Sequence, residues 1–214
     1  MQKNNYPGLF IAFEGIDGAG SSTQLELLTK TLRKEGFRVL ATKEPTNNVV
    51  GGLIKGVLTD SVKLPANSLQ LLFSADRAHH LDREIIPALK RGSIVLSDRY
   101  FFSTIAYGSL DLDQKWLFLL NENFLLPDFI FLLDVSAKVS IERIKNSRFE
   151  VELFEKEEKL SKVAKNFLAL AKKFPQNTYV LDGELSKEEV ADQVSDLIKK
   201  SSKYRRLASL AHVV

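Results

Sequence analysis

The chain has 214 residues, a length that suits one α/β domain with a well-buried core. Hydrophobic residues make up 44% of it and charged residues 27%, as in ordinary globular proteins. It contains no cysteine, which excludes disulfides, thiolate metal sites and a cysteine nucleophile. The formal net charge of +3 is too small to indicate nucleic acid as a partner.

No segment of the chain has the pattern of a signal peptide or of a membrane span. Residues 1–7 lack the apolar core of a secretion signal, and the most apolar stretch, residues 116–135, is broken by polar residues and a proline. That stretch is interpreted as the end of a helix, a turn and a buried strand. We therefore expect no contact with a membrane and a cytoplasmic protein.

Five short apolar runs predict strands buried on both faces, as in parallel sheets covered by helices. They span residues 9–13, 38–42, 93–97, 129–133 and 178–181. Helical patterns lie between them, over residues 22–35, 67–90, 137–143, 160–173 and 186–200. This alternation predicts a three-layer α/β fold with a five-stranded, mostly parallel sheet. Residues 1–200 form one predicted domain, and the basic tail of residues 201–214 is expected to be frayed or solvated.

The strongest functional signal is the glycine-rich segment of residues 13–23. It follows a predicted strand and opens a predicted helix, which is the context that a phosphate-binding P-loop requires. Its glycines let backbone N–H groups surround phosphate oxygens, and the helix N-terminus favours negative charge. Ser22 stands where the motif places a hydroxyl on Mg²⁺. The predicted contacts to the nucleotide are Gly15, Ile16, Asp17, Gly18, Ala19, Gly20, Ser21, Ser22 and Thr23.

One position of this loop departs from the motif. Where G-x-x-x-x-G-K-[ST] has a lysine that reaches the β- and γ-phosphates, this chain has Ser21. A serine carries no charge, and the loss of one well-placed transition-state donor typically costs on the order of 10²–10³ in rate. The backbone loop and the hydroxyl for magnesium remain. The sequence therefore predicts nucleotide binding and leaves catalysis open.

Two further motifs supply candidate binding groups. Asp98 and Arg99 follow the third strand, where an acid can hold Mg²⁺ through water and a guanidinium can bridge phosphates. Phe73 and Arg77 lie four residues apart on one face of the long helix, where they could stack a base and hold its phosphate. Taken alone, each motif is more often a matter of ordinary packing than of ligand binding.

Taken in order, these motifs are similar to those of the thymidylate kinase family. The shared set is F-E-G at residues 13–15, E-P at 44–45, L-F-x-x-x-R at 72–77 and D-R-Y at 98–100. The resemblance runs from about residue 9 to 200 and implies a P-loop NTPase fold with a short lid at about residues 145–154. It implies ATP with Mg²⁺ as phosphoryl donor, dTMP as acceptor, a role in dTTP biosynthesis, and a homodimer.

The resemblance also assigns roles to residues of the acceptor side. Phe73 would stack on the base, Thr104 would touch it, and Tyr107 would pack against the deoxyribose. Arg77 and Arg99 would hold the acceptor nucleotide and its phosphate.

Two acids complete the implied site. Asp17 would lie near the acceptor sugar or the metal, and Glu44 would face the phosphates and their magnesium shell. The implied catalytic residues are Asp17, Arg99 and Arg148, and the implied metal ligands are Ser22 and Asp98. The implied acceptor-binding set is Asp17, Glu44, Phe73, Arg77, Arg99, Thr104 and Tyr107.

The lid carries the remaining implied cations. One branch of the family has a catalytic arginine inside the phosphate loop, but this chain has Gly18 there and resembles the branch with lid arginines. Arg148 would reach the transferring phosphoryl group, and Arg143 would stack on adenine or contact a phosphate of ATP. We hypothesise that these arginines partly replace the charge lost at Ser21.

A general base is not expected. The phosphate acceptor has a second pKa of about 6 and is already an anion at neutral pH. Transfer then needs positioning and charge neutralisation more than proton abstraction. His79 and His80 are therefore interpreted as residues of the helix surface or the site wall.

Three alternatives stay open. The acceptor could be another pyrimidine nucleoside monophosphate. The chain could be a deoxynucleoside kinase with Glu44 as the base, although those enzymes usually have E-R-S where this chain has D-R-Y. It could also be a nucleotide-binding protein without catalysis, for which Ser21 is the only support.

Overall fold

The computed structural model describes residues 1–145 and 153–211, and the strands of this part form two parallel sheets. In chain order they are β1 (Gln2–Lys3), β2 (Leu9–Gly15), β3 (Val39–Lys43), β4 (Ile94–Asp98), β5 (Leu125–Leu126), β6 (Phe129–Asp134) and β7 (Thr178–Asp182). The main sheet has five strands in the order β3–β4–β2–β6–β7, and β1 pairs with β5.

Burial explains why the apolar runs form strands. Every residue of β2 is buried, and β2 lies in the middle of the main sheet between β4 and β6. Because helices cover the sheet, both faces of this strand need apolar side chains, and the sequence shows a continuous apolar run. The five predicted strands are confirmed, each within two residues of its predicted bounds.

The strand register brings several carboxyl ends to one edge of the sheet. Phe13 of β2 pairs with Asp98 of β4, and Gly15 pairs with Leu133 of β6. After β2 the chain moves to β3 and β4 on one side and later to β6 on the other, so the strand order reverses at β2. Ligands of open α/β sheets bind in the crevice outside such a point.

The helices flank this sheet and largely follow the predicted segments. The predicted helix over residues 67–90 is present as α3 (Ala66–His80), a wider π-type turn at Leu81–Ile85, and α4 (Ile86–Lys90). The helices are α1 (Ser21–Lys34), α2 (Val49–Leu58), α3 (Ala66–His80), α4 (Ile86–Lys90), α5 (Phe101–Gly108), α6 (Gln114–Asn121), α7 (Ala137–Lys145), α8 (Leu153–Lys173), α9 (Lys187–Lys199) and α10 (Ser202–Ala211). None of those described combines the length and apolar character needed to cross a membrane.

Helix α2 and the short strands β1 and β5 were not predicted. Helix α2 contains Gly51 and Gly52, which are poor helix formers. Its N-cap is Asn48, whose side chain accepts the N–H of Gly51 at 3.0 Å, so a local cap offsets the weak helix propensity. The two-residue strands are too short to show any periodicity.

The expected frayed or solvated end from residue 201 is wrong for the described residues. Helix α10 packs on the core through buried Tyr204 and Leu207. Lys203 Nζ donates to the carbonyl of Asn4 at 2.8 Å and pairs with Asp128 Oδ1 at 2.7 Å. The apolar stripe of this helix is narrow and lies among basic residues, which is why the sequence pattern suggested a solvated tail.

Candidate active site

The phosphate loop joins β2 to α1, and its glycines adopt conformations that other residues rarely take. Gly20, the N-cap of α1, has a φ of 99°, and Gly18 has a φ of 79°. A Cβ on Gly18 would also stand 2.8 Å from the carbonyl oxygen of Ser140. The tight turn places the N-terminus of α1 at the loop, where its dipole favours an anion.

A cavity of about 520 Å³, which we call the loop cavity, opens around this segment. Its volume is typical of small-molecule sites. It contains the predicted nucleotide contacts except Gly15 and Asp17. The wall consists of Ile16, Gly18, Ala19, Gly20, Ser21, Ser22, Thr23, Gln24, Asp98, Arg99, Leu133, Arg143, Gly183, Leu185, Lys187 and Val190.

Ser22 and Asp98, the predicted metal ligands, meet in the loop cavity. Ser22 Oγ donates a hydrogen bond to Asp98 Oδ2 at 2.5 Å. A hydroxyl and a carboxylate are oxygen ligands of the kind that Mg²⁺ takes together with water and substrate phosphates. Over residues 1–145 and 153–211, no group of three or more His, Cys, Asp or Glu side chains could hold a metal. The pair therefore fits an ion bound together with a nucleotide.

Ser21, at the position of the P-loop lysine, is buried and adds no charge. In the described part of the chain, the cationic side chains of the loop-cavity wall are those of Arg99, Arg143 and Lys187. Arg148 lies outside the described residues, as does most of the predicted lid. The hypothesis that lid arginines replace the lysine charge therefore stays a prediction.

The turn after β7 completes the loop cavity and was not predicted from the sequence. Arg143 donates to the carbonyl of Gly183 at 2.9 Å, and Gln24 Nε2 donates to the carbonyl of Lys187 at 2.9 Å. These bonds tie α7 and α1 to the segment that carries Leu185. The available signal was a glycine after the last strand, at the same sheet edge as the phosphate loop.

A second cavity, of about 360 Å³, is lined by α3, α5 and the segments around them. All seven predicted acceptor-binding residues lie in its wall. The wall consists of Asp17, Glu44, Pro45, Leu58, Ala66, Leu69, Gln70, Phe73, Arg77, Arg99, Tyr100, Ser103, Thr104, Tyr107, Gly108, Leu110, Asp111 and Leu112.

A buried polar network contributes to this wall. Arg77 is 1% exposed, and its Nε and Nη2 donate to Glu44 Oε2 at 2.9 and 2.7 Å. Nη2 also donates to Thr104 Oγ1 at 2.9 Å, and Nη1 donates to the side-chain oxygen of Asn121. The other Glu44 oxygen lies 3.1 Å from His80 Nδ1. Both oxygens of Glu44 are thus engaged, and this residue lies in the second cavity and not in the described wall of the loop cavity.

His80 differs from its interpretation as a surface or site-wall residue. It is fully buried, and its Nε2 lies 2.7 Å from Thr42 Oγ1 at the end of β3. The periodicity of α3 indicates which residues share a face but not that β3 covers this one. His79, its neighbour, is exposed and lies 3.0 Å from the side-chain nitrogen of Asn48.

Tyr107 and Gln70 add polar groups to the second cavity. The hydroxyl of Tyr107 accepts the backbone N–H of Asp17 at 3.0 Å, and burial raises the pKa of Tyr107 to about 12. Gln70 is buried, and its Oε1 has no hydrogen-bond partner among the described residues. Gln70 was not predicted as a site residue, although it lies on the same face of α3 as Phe73 and Arg77.

Arg99 is the residue that the described walls of both cavities share. Its Nη1 donates to the carbonyl of Gly15 at 3.0 Å, and its Nη2 pairs with Asp17 Oδ1 at 2.7 Å. Burial tends to lower the pKa of Arg99, but Tyr107 and then Asp17 outweigh it, and the pKa lies above its ordinary value. Its φ of 69° is uncommon for a residue other than glycine, and such strain clusters at functional sites.

A phosphate loop beside a second cavity, with one cation between them, defines a P-loop protein built to bring two phosphate-bearing ligands together. The family model described as thymidylate kinase matches residues 13–194. The chain belongs to the thymidylate kinase family.

Several curated proteins share this similarity over nearly their whole length. The "Probable thymidylate kinase" of Thermococcus gammatolerans is 40% identical over 202 residues, which cover 90% of this chain and 97% of that protein. The "Probable thymidylate kinase 1" of Saccharolobus solfataricus is 39% identical over 193 residues, covering 89% and 97%. The "Thymidylate kinase" of Thermosipho africanus is 36% identical over 200 residues, covering 90% and 98%.

Proposed function

We propose that this protein transfers the γ-phosphoryl group of ATP to dTMP, giving dTDP and ADP, in the cytoplasmic supply of dTTP. The observation that carries the proposal is Arg99, a cation in the walls of both cavities. Membership of the thymidylate kinase family supports the choice of acceptor. Arg99 and Asp17 would act at the reacting phosphates, and Arg148 stays a further candidate.

The two cavities suit the two nucleotides. The loop cavity would hold the ATP phosphates at the N-terminus of α1, with Arg143 at the adenine or a phosphate. The second cavity would hold dTMP with its phosphate toward Arg99. A guanidinium between the two phosphates would neutralise the charge that spreads over the transferring group.

The second cavity contains side chains that suit the base of dTMP. Phe73 would stack on the thymine ring, and Thr104 and Tyr107 would contact the base and the sugar. Four of the five N–H groups of Arg77 are bonded to Glu44, Thr104 and Asn121. The remaining N–H makes no hydrogen bond among the described residues and would donate to a carbonyl oxygen, which thymine and uracil carry at C4 and cytosine lacks.

Ser22 and Asp98 would hold Mg²⁺, which neutralises the charge of the ATP phosphates when bound. The engagement of both Glu44 oxygens argues against a deoxynucleoside kinase, which would need Glu44 as a free base. The monophosphate acceptor needs no such base, because its phosphate is already anionic at neutral pH.

The test is ADP release from ATP and Mg²⁺ with dTMP, dUMP, dCMP, UMP, CMP and AMP supplied in turn. We expect turnover with dTMP well above that with the others. A different preferred acceptor would contradict the proposed substrate but not phosphoryl transfer. ATP binding without turnover would favour the non-catalytic alternative that Ser21 suggests.

We also propose that the protein is a homodimer. Exposed apolar side chains lie on three helices, of which α3 contacts both α2 and α6: Leu53 on α2, Leu71 on α3 and Leu119 on α6. Light scattering should give twice the monomer mass, and Leu71→Glu should give a monomer. Leu210→Glu, at another exposed leucine on α10, is the matched control and should stay dimeric.

A further inference from the structure

Glu14 is a fully buried acid that lines neither of the two cavities. It stands one residue before the end of β2, immediately ahead of the phosphate loop. Burial raises the pKa of Glu14 to about 7, and hydrogen bonds from Ser103 and the charge of Arg99 oppose this shift only in part. A buried acid that lowers stability at neutral pH calls for a functional reason.

The contacts of Glu14 are with the first turn of α5. Its Oε1 accepts the N–H of Tyr100 at 2.9 Å and the N–H of Ser103 at 3.3 Å. Its Oε2 accepts the hydroxyl of Ser103 at 2.5 Å. Helix α5 has no acidic residue in its first turn and no side-chain cap at Tyr100. The carboxylate on β2 therefore caps α5 and complements its dipole.

The same serine links Glu14 to Arg99. While the Ser103 hydroxyl donates to Glu14, its oxygen accepts from Arg99 Nη1 at 2.9 Å. Nη1 also donates to the carbonyl of Gly15, the residue after Glu14. Glu14 is thus two hydrogen bonds from the cation that both cavities share, and it fixes the oxygen that orients this cation.

We propose that Glu14 is a positioning residue for phosphoryl transfer, which holds α5 against the phosphate-loop strand and, through Ser103, fixes the Arg99 guanidinium between the two cavities. The inference rests on the proposed function. Because Ser21 leaves the loop without a lysine, the rate depends strongly on where Arg99 stands. A misplacement of about 1 Å in such a group can cost about 10² in rate.

The first variant is Glu14→Gln, which keeps the shape and removes the charge. An amide oxygen can still accept the helix N–H groups, but Ser103 loses its ionised partner. We expect kcat to fall by about 10- to 100-fold, with KM for ATP and dTMP changed by less than about threefold, because the lost interaction acts in the transition state.

The second variant, Ser103→Ala, breaks the link to Arg99 and leaves the backbone bonds of Glu14 in place. Its kcat should fall by a similar factor. The double variant should be no slower than the slower single variant, because both substitutions interrupt one chain of hydrogen bonds. Independent, multiplying effects would contradict the proposed chain.

The matched control is Asp128→Asn, the same loss of charge at the other end of β2. Asp128 Oδ2 accepts the N–H of Phe10 at 2.8 Å, far from both cavities along the strand. It should lower the melting temperature and leave kcat within about twofold, since it acts on stability alone. Thermal melts and the fraction of active enzyme are measured for every variant.

Two outcomes would overturn the role of Glu14. One is a wild-type kcat in Glu14→Gln, and the other is a loss of activity explained wholly by a smaller folded fraction. Either result, with wild-type turnover of dTMP intact, leaves the proposed function standing. The absence of wild-type turnover with every acceptor would instead overturn both proposals.

Discussion

Strand β2 meets a carboxylate at each end, and the two are held differently. At the amino end, Asp128 accepts the N–H of Phe10 at 2.8 Å and pairs with the Lys203 ammonium at 2.7 Å. At the carboxyl end, Glu14 accepts N–H and hydroxyl groups of α5, and its pKa is raised to about 7 by burial. A direct ion pair stabilises the first carboxylate, whereas the hydroxyl of Ser103 lies between the second carboxylate and the Arg99 guanidinium and is hydrogen-bonded to both.

This difference separates the structural edge of the sheet from its functional edge. The amino edge joins distant segments with charges that neutralise each other. At the carboxyl edge, Arg99 pairs with Asp17 at 2.7 Å but also lies in both cavity walls, where the phosphates of a ligand are expected to bind. The variants below test that distinction.

The largest effect is expected from Arg99→Met. The side chain lies in both cavity walls, and cations at a transferring phosphoryl group are worth about 10³ or more in kcat. Steady-state turnover of dTMP should fall by about that factor, with the fold intact by circular dichroism. Arg205→Met, on the exposed side of α10, is the control. A fall of less than about tenfold would contradict the central role of Arg99.

The next effect is a pH dependence of stability that belongs to Glu14. Its pKa rises from 4.5 in the unfolded chain to about 7 in the folded protein, so the stability it contributes is present below pH 4.5 and lost as pH rises through 7. The shift corresponds to about 3 kcal/mol. Glu14→Gln should lack this loss. Between pH 4.5 and pH 8, the free energy of unfolding measured with urea should fall by up to about 3 kcal/mol more in the wild type than in the variant. Equal changes in the two proteins would contradict this prediction.

A smaller effect is expected at the amino edge from Lys203→Met. The substitution leaves Asp128 largely buried without its cation, which should cost about 2 kcal/mol and lower the melting temperature by about 5 °C. Turnover should stay unchanged. Lys162→Met, in an exposed pair with Glu158, is the control and should leave the melting temperature nearly unchanged. A loss of kcat in Lys203→Met would contradict a purely structural role of the amino edge.

The smallest effect is expected from Ser21→Lys, which restores the motif lysine. One added charge-assisted hydrogen bond to the phosphates is worth about 1.5 kcal/mol, so kcat/KM for ATP should rise by about tenfold. Ser21→Ala should stay within about threefold, because serine contributes one neutral donor. If Ser21→Lys brings no gain, the cations already at the carboxyl edge are sufficient.

The features predicted well from sequence are those with a local pattern. The continuous apolar runs located all five strands of the main sheet, and the glycine-rich segment located the loop cavity. The residues chosen by resemblance for the acceptor side share one cavity wall, while their roles, the lid with Arg148 and the single-domain division stay predictions.

The features that were missed depend on contacts between distant segments. The bonds from Glu14 to Ser103 span 89 residues, and Lys187 reaches the loop cavity only because β7 ends beside β6. Nothing in the local sequence marks Glu14 as buried or His80 as covered. The apolar stripe of α10 was also too narrow, among its basic residues, to predict a helix that packs on the core.

The bond between Lys203 and Asn4 has a practical consequence for protein engineering. It holds the Lys203 side chain 2.8 Å from the Asn4 carbonyl although the two residues are 199 positions apart, so the start of α10 lies near the segment that follows β1, and a linker from α10 back to β1 would keep both elements. A circular permutant could then be opened in a surface turn far from the phosphate loop. Both cavities would keep their walls in such a permutant, and labels or fusion partners could be attached at its new ends.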